Sequence, residues 1–333
     1  MIRGGCENQS QDPKTRTLTD LPIEVVRRIG DKLDKIHRFT LRNVCRSLRA
    51  LVDTWEPKFK RVEVHNTAGP ICVVLDRGEF QYKASKRGQV TVVQPWSLSD
   101  YTRSGEKRDV ALNDVMSILR HPKLELDSFE YTREKTSRIL TRDLERRLKK
   151  ENVRIRAKSF TLSSDCLEDE IRLLRHFQPG VLKTIDLDHT GGRFSEKLLE
   201  LLMEILSRSE TCQNAEHILI GSGVTKHDKR FTIPRLLTLP RVTLRYEKLE
   251  MSAVVEIFKL LLKSATLQLY AIKIASRDLH VTTLKQALLK FGAKFVDRNR
   301  TDFLIYRNPN SVIDEHFEIQ LRGYDWSIER KRN

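Results

Sequence analysis

The chain has 333 residues and a formal net charge of +16, with 39% hydrophobic and 32% charged residues. This composition is typical of a soluble globular protein with a basic surface and argues against a disordered chain. No apolar run approaches the roughly 18 residues of a membrane-spanning helix, and the charge leaves nucleic acid, anionic membrane surfaces and acidic proteins as classes of partner.

Residues 1–17 are polar and lack the continuous apolar stretch of a secretory signal, so we expect a flexible tail. Five cysteines are scattered along the chain without a C-x-x-C pair. This pattern argues against a disulfide framework and against a structural zinc site. It predicts a reducing compartment, the cytosol and/or the nucleus.

Residues 18–56 carry apolar residues at helical spacing, in three short stripes that begin at Val25, Ile36 and Val44. Pro22 suits the first turn of the first helix, where its missing N–H costs nothing. Gly30 lies inside that helix, at a cost of about 1 kcal/mol relative to alanine. Three helices this short cannot bury a sizeable core, so the block is predicted to need a partner.

Residues 57–109 change to a period of two. The runs RVEVHN, ICVVLD, FQYK and QVTVV are separated by turns that contain glycine. This pattern predicts an antiparallel β-meander. The polar stretch 95–109 is predicted to be a loop.

Residues 110–330 alternate Leu-rich helical segments with short strand-like runs. The strand markers are Phe129, Phe160, Ile185, Ile218, Leu244, Ile272 and Phe303, which are 25 to 33 residues apart. This spacing is close to that of leucine-rich repeats, although the units are irregular. Repeated helix–strand units predict parallel neighbouring strands and an extended binding surface, and an ordinary α/β sheet is the alternative. The predicted fold class is therefore α+β or α/β.

No motif for catalysis, a cofactor or a metal ion is present in the sequence. The glycines at 191–192 and 221–223 lack the spacing of a phosphate-binding loop, and the nine histidines form no H-E-x-x-H pair. Cys45 and the histidines lack the local signatures of nucleophilic catalysis. We therefore expect a protein that is not an enzyme and has no cofactor.

A basic run lies between Arg133 and Lys158, with 11 Lys and Arg against four Asp and Glu. A solvated helix face is one interpretation, and a site for an acidic or phosphorylated target is another. Nucleic-acid binding is a third, although no recognised motif accompanies the charge. The candidate target-binding residues are Arg142, Arg146, Arg147, Lys149 and Lys150.

The helical block resembles the F-box, the short helical motif of substrate receptors in SCF-type cullin–RING ubiquitin ligases. Leu21-Pro22-x-Glu24-Val25-Val26-x-x-Ile29-x-x-x-Leu33 is similar to its first helix. Leu41-Arg42-x-Val44-Cys45-Arg46-Ser47-Leu48-Arg49 is similar to its later Val-Cys-Arg signature, with Leu48 where tryptophan is frequent. Lys35 stands where proline is frequent.

The segments that follow extend the resemblance over residues 19–330. The meander, LNDVMSILRHPKLELDSFEY, LLRHFQPGVLKTIDLD and the terminal IER resemble the nematode F-box family with a C-terminal FTH domain. The implied organisation is a tail at 1–17, an F-box at 18–56, a β-meander at 57–109 and an FTH, leucine-rich-repeat-like target-binding domain at 110–330.

The resemblance implies a non-catalytic receptor whose F-box docks on a Skp-type adaptor and, through it, on a cullin. The C-terminal domain would capture a protein target for ubiquitination, with no membrane partner. The candidate adaptor contacts are Leu21, Pro22, Val25, Val26, Ile29, Leu33, Phe39 and Leu41. The alternative is a basic nucleic-acid- or anion-binding scaffold with a drifted F-box.

Overall fold

The structure is a computed structural model that describes residues 21–94, 100–134, 138–190, 196–224, 241–246, 251–263, 267–274, 281–295, 302–307, 315–322 and 325–332. The predicted tail at 1–17 lies outside these residues. The chain divides into two compact units, of which the first ends at Lys58 and the second begins at Phe59.

The first unit contains the three helices that the sequence predicts. They are α1 (Ile23–Lys32), α2 (Lys35–Leu41) and α3 (Arg46–Val52). Pro22 precedes α1, and its carbonyl accepts hydrogen bonds from the backbone N–H groups of Val25 and Val26 at 3.0 and 3.2 Å. The Asp34 carboxylate caps α2 by accepting from the backbone N–H of His37 at 2.8 Å.

A small apolar core holds these helices together. Its buried members are Val26, Leu41, Leu48, Leu51 and Val52, with Leu33, Cys45 and Trp55 packed against them. Leu48 is 3% exposed and so fills the core where a tryptophan is frequent in the resembling family. The unit thus buries one stripe from each helix and little more.

Gly30 is required by the indole of Trp55. A Cβ atom at residue 30 would lie 2.0 Å from Cη2 of Trp55, closer than any normal contact. The guanidinium of Arg38 lies 5.9 Å from the centroid of the same ring, and Arg38 Nε donates to the Gly30 carbonyl at 2.7 Å. Glycine at residue 30 lowers the stability of α1 as a helix, but it leaves the space in which the Trp55 ring packs against α1.

The second unit begins with the predicted antiparallel meander. Its strands are β1 (Arg61–Asn66), β2 (Ile71–Leu75), β3 (Gly78–Ala84), β4 (Gln89–Val93) and β5 (Tyr101–Ser104), paired in chain order. The loop predicted at 95–109 was wrong for β5 and for the first residues of α4 (Lys107–Leu119). These residues are ordered by pairing with β4 and by packing of α4 on the meander, which polarity alone does not reveal.

Six parallel strands follow and confirm the predicted helix–strand alternation. They are β6 (Leu126–Arg133), β7 (Ala157–Ser164), β8 (Thr184–His189), β9 (His217–Val224), β10 (Arg241–Tyr246) and β11 (Leu269–Ile274). Strand β1 pairs in parallel with β6, and pairing continues in chain order to β11. The described helices among them are α5 (Ile139–Lys150), α6 (Leu167–Glu170), a 3₁₀ turn (Ile171–His176), α7 (Glu196–Arg208), α8 (Glu210–Gln213) and α9 (Met251–Leu261).

The sheet ends in a second antiparallel region. After α10 (Val281–Lys290) come β12 (Lys294–Phe295), β13 (Phe303–Tyr306), β14 (Glu315–Arg322) and β15 (Asp325–Arg332). The marker Phe303 does lie in a strand, but β13 is not the next parallel neighbour of β11. Strand β15 takes that place in antiparallel orientation, because it sets Trp326 and Ile328 opposite Ile272 and Tyr270 on the buried face. The described strands form one mixed sheet of fifteen.

The parallel strands have one buried apolar face. Phe129, Phe160 and Phe177 pack together on it, with ring centroids 4.7 to 6.1 Å apart. We call the other face of β1 and β6–β8 the open face. Its residues are Arg61, Glu63, His65, Ser128, Glu130, Thr132, Ser159, Thr161, Ser163, Thr184, Asp186 and Asp188, which are at least partly exposed except for Glu63.

Two buried carboxylates tie the helices to the sheet. Asp114 on α4 accepts a hydrogen bond from Tyr82 Oη on β3 at 2.9 Å and from Arg103 Nη1 on β5 at 2.8 Å. Burial, with the Asp114 charge next in importance, raises the pKa of Tyr82 well above its usual range, so this phenol stays a donor. Glu170, after β7, plays the same part by accepting from Arg133 Nε on β6 at 2.6 Å and from Thr141 on α5 at 3.0 Å.

No helix among the described residues combines the length and hydropathy that crossing a membrane requires.

We expect Asp114→Ala to lower the free energy of unfolding by about 3 to 5 kcal/mol, because it leaves the buried phenol of Tyr82 and the largely buried guanidinium of Arg103 without their acceptor. Urea denaturation followed by far-ultraviolet circular dichroism measures the change. The matched control is Asp127→Ala, which removes a carboxylate from a solvent-exposed ion pair with Lys158 and should leave the midpoint almost unchanged. Equal effects of the two substitutions would contradict the role given to Asp114.

We expect Gly30→Ala to destabilise the first unit by about 1 to 3 kcal/mol, because the new methyl group overlaps the Trp55 ring. In a Trp55→Ala background the same change should become neutral or stabilising by up to about 1 kcal/mol, the ordinary gain of alanine over glycine in a helix. Hydrogen exchange of the amides of α1 and α3 in the full chain measures both effects. A destabilisation of the same size in both backgrounds would show that Trp55 is not the cause.

Candidate functional site

The predicted adaptor-binding residues separate into a buried and an exposed set. Val26 and Leu41, 4% and 8% exposed, belong to the core of the first unit, and Phe39 is 4% exposed. Ile29 and Leu33 are partly exposed, and Leu33 packs against the core. The exposed members are Leu21, Pro22 and Val25, so these three carry most of the available surface among the predicted residues.

Val25 and Ile29 lie one turn apart on the outer side of α1, and Leu21 lies just before the helix, which begins at Ile23. Leu21 is 38% and Val25 39% exposed. The next stripe around α1, Val26, Gly30 and Leu33, faces the core. Helix α1 therefore has two adjacent apolar stripes, one satisfied within the unit and one facing solvent.

Two exposed apolar residues were missed as site candidates. Ile23 in the first turn of α1 is 48% exposed, and Val44 before α3 is 63% exposed. The sequence places Val44 in the third stripe, but α3 begins only at Arg46, so Val44 lies outside the helical face that Leu48 and Leu51 share. What identifies these two residues as candidates is their exposure to solvent, which can be measured only in a structure.

The basic candidates on α5 are mostly engaged in ion pairs. Arg142 Nη2 lies 3.2 Å from Asp169, and Arg147 Nη2 lies 2.8 Å from Asp109. Arg146 pairs with Asp143 one turn earlier on α5. Lys149 and Lys150 are exposed and form no ion pair with a described residue. The predicted residues therefore do not act as five free cations.

Arg146, Arg147 and Lys150 do meet in one cleft of about 470 Å³ beside α4. Arg108 lines the same cleft and pairs with Asp143 at 2.8 Å through Nε. The remaining lining residues are Asp109, Asp143 and Glu151. Carboxylates thus alternate with the cations, so the cleft offers an incoming anion little unbalanced positive charge.

One cluster of the described residues has the side-chain types of a metal site. Ligand atoms of Glu63, His65 and Glu130 lie within 4.8 Å of one another on the open face. Arg61 already supplies positive charge there, with Nε 2.6 Å from Glu63 and Nη2 3.6 Å from Glu130. In this arrangement the carboxylates bind a guanidinium, and we assign no metal to them.

Comparison with known proteins finds two family matches in separate parts of the chain. The F-box domain family matches residues 18–60, and the FTH domain family matches residues 138–288. F-box A protein 224 of Caenorhabditis elegans is 26% identical over 128 residues, which are 37% of this chain and 33% of that protein. The chain thus spans about a third of the length of this curated relative, and no solved structure matches it.

An F-box implies, in general terms, the role of an SCF-type substrate adaptor, and F-box domains generally bind Skp-type adaptors. Membership of the F-box and FTH families indicates an adaptor rather than a catalytic enzyme. The chain thus carries an F-box domain followed by an FTH domain, and it is similar to a nematode F-box protein.

Proposed function

We propose that this protein is a substrate-recognition subunit of an SCF-type cullin–RING ubiquitin ligase. The first unit docks on a Skp-type adaptor, which binds a cullin, and the second unit holds a protein target for ubiquitination. The protein contributes no catalytic group of its own. The observation that carries the proposal is the solvent-facing apolar stripe of α1 in a unit that matches the F-box family.

The stripe suits docking between helices. Val25 and Ile29 present apolar side chains one helical turn apart, the spacing that fills a groove between the helices of a partner, and Leu21 adds an exposed apolar side chain just before α1. Burial of such side chains stabilises a complex by roughly 25 cal/mol for each Å² removed from water. Ile23 and Val44 extend the exposed apolar surface and are added here to the predicted contacts.

The buried candidates support docking indirectly. Val26, Phe39 and Leu41 fix the positions of α1 and α2, so their loss would disturb the surface without removing a contact. The side chains of Arg42 and Asp53 serve the same end, since the Nε–Oδ1 pair at 2.6 Å joins α2 to the end of α3. We therefore assign direct adaptor contact to the exposed residues only.

The compartment that we propose is the cytosol and/or the nucleus. Cys45, Cys72, Cys166 and Cys212 are all free thiols in the structure. A reducing environment keeps such thiols unpaired. The free thiols therefore support a reducing compartment.

We expect Val25→Glu to abolish capture of the chain by a purified Skp-type adaptor while the helical content stays unchanged, because a carboxylate cannot be buried in an apolar interface. The combined change Leu21→Ala and Pro22→Ala should weaken capture by at least about tenfold, equivalent to 1.4 kcal/mol. The measurement is a pull-down quantified by titration. Ile139→Glu on α5 is the matched control, an exposed apolar residue of the second unit changed in the same way, and it should bind normally.

An intact chain that never binds the adaptor would contradict the proposal. The alternative, a nucleic-acid- or anion-binding scaffold, predicts an affinity for generic DNA or RNA that persists at about 150 mM salt. Binding that vanishes at that salt concentration would be ordinary attraction to a chain of net charge +16. The pull-down and the salt titration together separate the two functions.

A further inference from the structure

We propose that a surface formed by Lys149, Arg154, Arg175 and His176 binds an acidic segment of the protein target, rich in aspartate and glutamate. We call these four residues the basic edge, because they precede β7 and β8 at the edge of the sheet where those parallel strands begin. This binding rests on the proposed function as a target receptor, to which it adds the chemistry of the target. Every residue of the basic edge belongs to the second unit.

A parallel β-bridge brings two separate segments together at this edge. Ile155 pairs with Phe177, and the backbone N–H of Ile155 donates to the carbonyl of His176 at 2.8 Å. Ile155 and Phe177 are buried, whereas Arg154 is exposed and His176 is partly exposed. Arg154 Nη1 also donates to the backbone carbonyl of Arg175. The bridge therefore sets basic side chains of both segments side by side at the surface.

The end of α5 adds a further cation to the basic edge. The helix ends at Lys150, and Asn152 after it has a φ of 51°, a left-handed conformation that turns the chain towards β7. The backbone N–H of Asn152 donates to the carbonyl of Lys149 at 3.2 Å. Lys149 comes close enough to His176 for its charge to lower the pKa of the imidazole. Three segments of the chain thus contribute to one basic surface.

The cations of the basic edge are not balanced by carboxylates. Lys149, Arg154 and Arg175 are exposed, and none of them forms an ion pair with a described residue. Glu145 lies one turn before Lys149 on α5, yet the two side chains form no ion pair there. The positive charge of this surface is therefore available to a partner, and charge complementarity selects an anionic one.

The environment of His176 shows the same imbalance. Burial lowers the pKa of His176, and Arg154, Arg175 and Lys149 lower it further because they repel the imidazolium charge. No carboxylate among the described residues opposes them. A bound anion would supply the missing negative charge, attract all three cations and raise the pKa of His176 towards its usual range.

The spread of the cations favours a row of carboxylates over a single phosphate group. Lys150 and Arg172 are also exposed and form no ion pair with a described residue. Arg172 precedes Arg175 by three residues, one full turn of the 3₁₀ helix, so the two side chains leave on the same side. Each guanidinium matches a carboxylate through two parallel hydrogen bonds. An acidic peptide can place one carboxylate at each of these cations.

The experiment measures binding of labelled decapeptides to the full chain by fluorescence anisotropy. The acidic peptide alternates glutamate with glycine and serine, and the neutral peptide has glutamine in place of glutamate. We expect only the acidic peptide to bind. Lys149→Gln combined with Arg175→Gln should weaken its binding by at least about tenfold, because it removes two unpaired charges. Neither side chain forms a hydrogen bond or ion pair with a described residue, so the fold should be unchanged.

The matched control combines Lys83→Gln on β3 with Arg77→Gln between β2 and β3. Both residues are exposed and form no ion pair with a described residue, and the control changes the net charge equally. Because these positions lie on the meander, outside the basic edge, the affinity for the acidic peptide should change by less than about twofold.

The affinity should also depend on pH through His176. Protonation adds a positive charge, so binding should strengthen as the pH falls through the pKa of this residue, whereas the glutamates of the peptide stay ionised above about pH 5.5. Between about pH 7.5 and about pH 5.5 we expect an increase of about threefold or more. His176→Gln should bind almost normally at the higher pH, where the imidazole is neutral, and should lose most of this increase.

Several results would overturn the inference. These are no binding of the acidic peptide, equal loss in the double variant and its control, or an unchanged pH dependence in His176→Gln. A further one is tighter binding of a phosphoserine peptide or of oligothymidylate with the same net charge, which would assign the surface to a phosphorylated target or to nucleic acid.

Adaptor capture by the same chains is measured in parallel, and the double variant should be captured normally. Failure of capture by the unaltered chain would remove the proposed function, whereas failure of the peptide alone would remove only this inference.

Discussion

Parallel pairing of consecutive strands is the constraint on which the second unit depends. Two parallel neighbours cannot be joined by a tight turn, so each strand must be followed by a return across the sheet. These crossover connections are nearly always right-handed. When successive strands are added to the same edge of the sheet, right-handed crossovers place all the connecting helices on the same face. One side of β6–β11 therefore becomes an apolar core, and the other keeps polar side chains at the surface.

Buried polar groups fix how the helices meet that core. Apolar packing alone tolerates sliding of a helix along a sheet, whereas a carboxylate with two directed donors does not. Asp114 fixes α4 over the meander through Tyr82 and Arg103. Glu170 fixes α5 and β6 together through Thr141 and Arg133.

Periodicity made most of the architecture predictable. Burial on one face leaves a trace of period two in β6–β8 and of period 3.6 in α1, and both are visible in the sequence. The place of β13 could not be predicted, because β15 competes for the same edge of β11 and only packing decides between them. Polarity also misled at 101–104, where pairing with β4 orders a short strand.

The candidate surfaces were less predictable than the fold. Val44 looks like a core residue until the start of α3 is known. The arginines of α5 look free until Asp109 and Asp169, distant in sequence, are placed beside them. Arg154 and His176 are separate in the sequence, and only the bridge between Ile155 and Phe177 shows that they share a surface.

The position of β15 has a consequence for the order in which the chain is synthesised. Strand β11 ends at Ile274, but the strand that covers its edge begins only at Asp325. A nascent chain that has folded as far as β11 therefore presents an unpaired, largely apolar strand edge to its surroundings while the next segments leave the ribosome. Such an edge invites pairing with a neighbouring chain. Strand β15 thus covers the edge of the parallel strands, and a chain that stops before residue 325 would leave that edge open to pairing with other chains.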